Sequence, residues 1–316
     1  MTSKDKILIG LVDADLLNGG TRHPNLVLLK LAGFLTDNAI PFRLIIDKDE
    51  NIMEYTTIYM SKVFSFTPDP PFYEKVKKTP NENKFKIGGT GDYAIKKDIK
   101  DFKSSRTRDM NQLENDIFLN NYPNKRGGKK KWGIDMCRQM PYYHLYDEYI
   151  QSKIKAGRKK SYFNDYLYYS IGFLTRGCIR HCPFCVNKLE NKVYRYSELE
   201  WFLDDERNEK GDLIRPYIYL WDDNFLAAPK EIWQPMLQSL IDSKRPFQFR
   251  QGLDERILAE SEDGEEIAQM LSKCKYHGDF IFAFDNWRDR DKIIKALKIW
   301  KRHNSKRGTK FYLFCG

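Results

Sequence analysis

A short loop with three cysteines constrains this chain more than any other feature. Cys178, Cys182 and Cys185 are separated by three and then two intervening residues. The loop directly follows an aromatic and apolar run, 166–174, which predicts a buried strand. Three thiolates from one loop can bind three irons of a cubane iron–sulfur cluster. Because no fourth cysteine lies nearby in the sequence, one iron stays open to another ligand.

Two simpler interpretations of these cysteines stay open, a zinc site and ordinary buried thiols. A structural zinc ion takes four closed ligands. His181 lies within the loop and Cys137 lies upstream, so both could add to such a set. The spacing is unusual for zinc, and the cluster is therefore the favoured interpretation.

Composition predicts an intracellular protein with two domains of ordinary size. The chain has 316 residues, of which 41% are hydrophobic and 14% aromatic, enough for sizeable cores. No apolar run approaches the roughly 20 residues of a membrane span, and the N-terminus shows no signal-peptide pattern. The six cysteines do not form a disulfide framework. We therefore expect a cytoplasmic location and no membrane partner.

The cysteine motif, with the aromatic Phe184 just before its third cysteine, resembles the signature of the radical S-adenosylmethionine (SAM) superfamily. The resemblance implies that Cys178, Cys182 and Cys185 hold a 4Fe-4S cluster and that Phe184 lies at the cofactor site. It further implies that SAM binds the open iron and is cleaved to a 5′-deoxyadenosyl radical. An electron donor such as a ferredoxin or flavodoxin would reduce the cluster.

Residues 1–95 predict a Rossmann-like parallel sheet. Apolar runs at 6–12, 41–46, 56–66 and 85–87 alternate with loops, and a helical pattern opens at Pro24. The order of these pieces resembles the cobalamin-binding-like domain of one branch of the superfamily. That branch often carries Asp-x-His-x-x-Gly, which is absent here, and His23 does not fit it. Either cobalamin binds without a histidine ligand, or the domain keeps the fold without the cofactor, which is the favoured interpretation.

Residues 96–165 predict a basic, tyrosine-rich linker or insertion. The net charge of the chain is +10, and basic clusters lie at 125–131 and 153–160. Such clusters with interleaved aromatic residues can bind nucleic acid, although a solvated linker explains them more simply. The glycine-rich loop 88–91 could likewise approach a phosphate or form a tight turn.

Residues 166–316 predict a partial (β/α) barrel of the radical SAM type. Strand patterns at 217–221, 247–249, 279–285 and 310–314 follow the strand before the cysteines. Helical patterns alternate with them, the first at 197–205 with Ser197 and Glu200 as a capping box. Five strands can be counted where the superfamily has six. Further residues or another chain could complete the barrel.

Polar residues follow the predicted strands, where barrel enzymes place their chemistry. The resemblance implies that Asp222, Asp223 and Asn224 form a variant of the loop that meets the SAM amino group. It also suggests Arg250 for the SAM carboxylate and Asp285 for a ribose hydroxyl. Ion pairs or helix caps are the alternative roles for all of them.

The sequence therefore favours a radical SAM enzyme that begins hydrogen abstraction or methyl transfer on an unknown substrate. The alternative is a nucleic-acid-binding protein with a structural or redox-sensing iron–sulfur or zinc site, which would use the basic segments. The sequence identifies no catalytic residue beyond the cluster.

Overall fold

A computed structural model describes residues 7–89, 134–185, 187 and 191–313. The chain divides into two compact units, Met1–Tyr166 and Leu167–Gly316. Throughout the described ranges, every helix is too short or too polar to cross a membrane.

The first unit contains a parallel sheet of four strands in the order β2-β1-β3-β4. Its strands are β1 (Ile9–Asp13), β2 (Phe42–Leu44), β3 (Thr57–Ser61) and β4 (Phe85–Gly88). Its first helices are α1 (Ala14–Gly19), α2 (Leu26–Asp37) and α3 (Pro71–Val76). Strands β1 and β3 are buried along their whole length and are mostly apolar, as the sequence predicted. The parallel α/β sheet is thus confirmed.

The described part of the predicted linker packs into this first unit. Tyr146 is buried, and its hydroxyl donates to Asp13 at 2.9 Å and accepts from the backbone N–H of Asn25 at 3.1 Å. Helices α4 (Asp147–Lys155) and α5 (Asn164–Leu167) follow it. Residues 90–133, with the end of the glycine-rich loop and the basic cluster at 125–131, lie outside the described residues.

The second unit repeats a strand–helix alternation. Its strands are β5 (Tyr169–Gly172), β6 (Thr175–Arg176), β7 (Tyr194–Arg195), β8 (Tyr217–Leu220), β9 (Phe247–Phe249), β10 (Phe280–Phe284) and β11 (Thr309–Leu313). Strands β5, β8 and β9 form one parallel sheet, and β10 and β11 form another. A parallel bridge between Leu253 and Phe282 links the β9 and β10 regions. Closure into a partial barrel stays a prediction.

Helices cover these strands with apolar faces. They are α6 (Lys230–Asp242), α7 (Arg256–Glu260), α8 (Gly264–Lys273) and α9 (Arg290–Asn304). Trp233 of α6 and Trp300 of α9 are buried in the same core as the phenylalanines of β9 and β10. This core holds the carboxyl ends of the strands in place.

Two sequence-based elements differ from the structure. The helix predicted at 197–205 is wrong, since only a 3₁₀ turn at Leu199–Trp201 forms there. The chain then leaves the turn so that Phe202 can pack, fully buried, on Gly172 of β5. The strand predicted to begin at residue 166 begins at Tyr169, because Tyr166 ends the first unit and its hydroxyl hydrogen-bonds Thr21.

Candidate functional site

The cysteine loop leaves the short strand β6 through a glycine that no other residue could replace without strain. Gly177 has φ +91°, and a Cβ atom there would lie 2.3 Å from the carbonyl oxygen of Lys192. The Gly177 N–H donates to a carboxylate oxygen of Asp223 at 2.9 Å. The start of the loop is therefore fixed by backbone geometry and by the loop after β8.

Backbone amides point at two of the three sulfurs. The N–H of Arg180 donates to Cys178 Sγ at 3.3 Å, and the N–H of Asn187 donates to Cys185 Sγ at 3.4 Å. Hydrogen bonds of this kind stabilise thiolate charge and are among the features that tune iron–sulfur clusters. All three cysteines are partly buried, and none of them forms a disulfide.

Burial raises the pKa of Cys182, and the charges of Asp285, Cys185 and Cys178 raise it further, against the opposing effect of Arg256. The three thiols belong to one short loop, which suits a shared cluster. Within the described residues, no three His, Cys, Asp or Glu side chains converge on a single metal ion. A cubane cluster requires its thiolates to lie farther apart than the ligands of one metal ion, since each thiolate binds a separate iron. The donor set and its amide hydrogen bonds fit that group.

Asp222 holds the start of β6, which leads into the cysteine loop, through both of its carboxylate oxygens. One oxygen accepts from the N–H and the hydroxyl of Thr175, each at 2.6 Å, and the other accepts from the N–H of Leu174 at 3.1 Å. Burial raises the pKa of Asp222 to about 7, against these hydrogen bonds. The carboxyl expected to meet SAM is thus engaged by the chain itself.

Asp223 lies on the other side of the same loop. Its carboxylate accepts from Gly177 and from the side-chain amide of Asn187, the latter at 2.7 Å. The guanidinium of Arg176 lies 3.5 Å away. Asp223 therefore joins both ends of the cysteine loop, since Gly177 precedes Cys178 and Asn187 follows Cys185.

Asn224 has a side chain that faces the sulfur directly. Its amide nitrogen donates to Cys178 Sγ at 3.4 Å and to Asp254 Oδ2 at 3.2 Å. Because both partners are acceptors, this amide orientation is the one that satisfies them. Its oxygen is buried and has no hydrogen-bond partner in the described part of the chain. An unsatisfied buried acceptor is costly, so we expect a water molecule or a ligand to donate to this oxygen.

An ion-pair network lies beside the Asn224 amide. The sequence did not predict it. Asp254 accepts from Arg180 at 2.7 Å and from Arg256 at 2.6 Å, and Arg256 reaches Asp289 at 2.7 Å. Burial alone would raise the pKa of Asp254, but Arg256 and Arg180 hold it below its usual value. Arg256 is the first residue of α7, beyond the loop that follows β9, and carries no local sequence signal.

The remaining predicted residues occupy different surroundings. The Arg250 guanidinium carbon lies 5.3 Å from the centre of the Tyr219 ring, while its backbone N–H bonds to Leu220. Burial raises the pKa of Asp285, which Arg256 opposes. Phe184 is 53% exposed. Contacts of these three side chains with SAM stay predictions.

Comparison with known proteins adds one structural likeness. A scan against protein-family models finds no match, and a search of curated proteins finds none either. A search of solved structures finds the radical S-adenosylmethionine methyltransferase TsrM from Kitasatospora setae, determined with cobalamin and a [4Fe-4S] cluster bound. The match has a TM-score of 0.50 at 14% identity and covers 97% of this chain and 68% of TsrM. The mixed α/β fold of this chain is therefore similar to that of a radical SAM methyltransferase.

Proposed function

We propose that this chain is a radical SAM enzyme, in which Cys178, Cys182 and Cys185 hold a 4Fe-4S cluster that cleaves SAM. The observation that carries the proposal is the cysteine loop, where amide groups already donate to two sulfurs. The loop follows β5 and is tied to the loop after β8, at the carboxyl ends of parallel strands. The likeness of fold to TsrM supports the same chemistry. The strands of the second unit would then form a partial barrel.

Asp222, Asp223 and Asn224 would have different roles in this reaction. A cluster held by Cys178, Cys182 and Cys185 would supply the electron for cleavage of a carbon–sulfur bond of SAM. Asp222 and Asp223 hold the loop that carries the thiols. Asn224 donates to Cys178, and its unsatisfied oxygen is the best acceptor for the SAM ammonium group. Among the three residues of this loop, Asn224 is therefore the first choice for direct SAM contact.

The substrate and the reaction subtype belong to the same proposal. Methyl transfer is one candidate, because the solved TsrM structure is named as a methyltransferase with cobalamin bound. Here the His23 ring contacts the carboxylate of Asp165 in the same unit. A cobalamin-dependent reaction would thus proceed without the histidine motif, and simple hydrogen abstraction needs no cobalamin. Methyl-labelled SAM separates the two, since methyl transfer moves the label to the substrate, whereas hydrogen abstraction leaves it on methionine.

The test is anaerobic reconstitution with iron and sulfide, followed by reduction and addition of SAM. We expect 5′-deoxyadenosine from the wild type and none from Cys182→Ala. Addition of SAM should also perturb the electron paramagnetic resonance (EPR) spectrum of the reduced cluster. Asn224→Ala should weaken this perturbation, while Gln238→Ala, which changes an exposed amide on α6, should not.

A well-formed cluster that neither binds SAM nor yields 5′-deoxyadenosine would overturn the proposal. Salt-dependent binding of RNA or DNA by that same protein would then favour the nucleic-acid-binding alternative. Loading with zinc instead of iron, at one ion per chain, would assign the loop to a structural zinc site.

A further inference from the structure

The first unit contains a cleft of about 330 Å³ that the proposed cluster chemistry does not use. Its floor is formed by the end of α1, including Gly19 and Gly20. Gly20 has φ +81°, and a Cβ atom at Gly19 would meet nothing within 4 Å. The backbone is therefore open to the cleft at this point. The volume lies within the range of small-molecule sites.

The position of the cleft in the sheet favours ligand binding. Helix α1 follows β1 directly, and Lys48, another lining residue, follows β2. The chain places β2 on one side of β1 and β3 on the other. Open parallel sheets bind their ligands outside the carboxyl ends of the strands, where the chain changes direction in this way.

The walls of the cleft are strongly positive. Lys48, Lys153 and Arg158 line it, and the described lining residues include no carboxylate. None of these three cations forms an ion pair with the described part of the chain. The C-terminal ends of helices α1 and α4 lie near this cleft. The C-terminal end of a helix carries about half a negative charge. The three full positive charges of the side chains exceed the negative charge of the two helix ends, so the cleft attracts anions.

Aromatic rings hold two of the cations in place. The Lys153 ammonium lies 5.4 Å from the centre of the Tyr149 ring, and the Arg158 guanidinium lies 4.8 Å from that of Tyr162. Such contacts reduce the freedom of long side chains without neutralising their charge. The cations are thus positioned and remain able to pair with an anion.

We propose that this cleft binds a phosphorylated small molecule of mononucleotide size. Lys153, Arg158 and Lys48 would bind its phosphate group through charge-assisted hydrogen bonds. The cleft is larger than a free phosphate ion requires, so the rest of the ligand would occupy the space over Gly19 and Gly20. The site belongs to the first unit alone and does not depend on the proposed radical chemistry.

Calorimetric titration of the full chain tests this site with AMP, adenosine and inorganic phosphate as probes. We expect AMP to bind more tightly than phosphate, adenosine not to bind, and added salt to weaken AMP binding. Lys153→Met and Arg158→Met should each reduce AMP affinity about tenfold. Lys155→Met and Lys159→Met remove neighbouring charges that do not line the cleft and should leave the affinity unchanged.

Equal AMP affinity in Lys153→Met, Arg158→Met and the wild type would overturn the proposal, as would wild-type protein that binds no AMP. Equal binding of AMP and adenosine would show that phosphate is not recognised. Equal binding of AMP and inorganic phosphate would show that only an anion site exists. Hydroxocobalamin binding that the same variants abolish, without AMP binding, would assign the cleft to a corrinoid instead. Thermal unfolding of each variant verifies that its fold is intact.

Discussion

The side-chain amide of Asn224 donates to the sulfur of Cys178 at 3.4 Å while it also donates to Asp254. A donor aimed at a thiolate stabilises the extra negative charge of a reduced cluster. We predict that Asn224→Ala lowers the cluster reduction potential. A hydrogen bond worth about 1 kcal/mol corresponds to roughly 40 mV for one electron. A redox titration followed by EPR measures the shift.

Gln238→Ala is the matched control, since it removes an amide of similar chemistry from an exposed helix surface. Its cluster should titrate at the wild-type potential. An unchanged potential in Asn224→Ala would mean that this amide does not act on the cluster.

Gly177→Ala should reduce the amount of cluster that the protein retains. Gly177 and Gly211 both have positive φ angles, so an added Cβ strains each backbone by roughly 1–2 kcal/mol. At Gly177 the Cβ would also collide with Lys192, whereas at Gly211 it meets nothing within 4 Å. Iron content and absorbance per chain should fall in Gly177→Ala and stay normal in Gly211→Ala. Similar losses in both variants would show that the crowding has no effect.

The sequence predicted much of this arrangement and missed the parts that depend on distant contacts. Apolar runs predicted the parallel strands, because a strand buried on both faces is mostly apolar. The helix predicted at 197–205 does not form. The chain leaves the 3₁₀ turn at Leu199–Trp201, and Phe202 packs on Gly172. The role of Arg256 arises from pairing with Asp289, 33 residues away. Local patterns carry no information about such pairs.

Stability of the first unit should depend on pH through Asp13. Burial raises its pKa to about 7 from an ordinary value of 3.8. The folded state therefore holds a proton that the unfolded state releases between these values, and the free energy of unfolding falls as pH rises from about 4 to 7. The contribution of Asp13 is at most about 4 kcal/mol. Urea unfolding across this range should show a smaller decrease for Asp13→Asn.

The matching comparison is Asp47→Asn, an exposed carboxyl near β2, which should leave the pH dependence unchanged. Asp222 and Glu255 in the second unit also have pKa values raised by burial to about 7, so part of the decrease should persist in Asp13→Asn. Parallel curves for wild type and Asp13→Asn would contradict this assignment.

Asp254→Asn should destabilise the site more than the loss of any exposed ion pair. The substitution leaves Arg180 paired with Glu260 and Arg256 paired with Asp289. The cost should therefore lie below the roughly 3–5 kcal/mol of a buried charge that loses every partner, and above that of an exposed pair. The expected result is a lower midpoint of urea unfolding. Asp291→Asn, at an exposed pair with Arg290, should change stability by less than about 1 kcal/mol. Equal effects of the two substitutions would refute the importance of the network.

The bond between Thr175 and Asp222 spans 47 residues of chain. At a synthesis rate of about 5–20 residues per second, the ribosome adds Asp222 roughly 2–9 s after Thr175. During that interval the three thiols exist in a nascent segment without the carboxylates that brace it. Iron delivered in that interval would find the three thiols in a loop that has not yet folded. Assembly of the proposed cluster would thus wait until β8 and Asp222 have been synthesised.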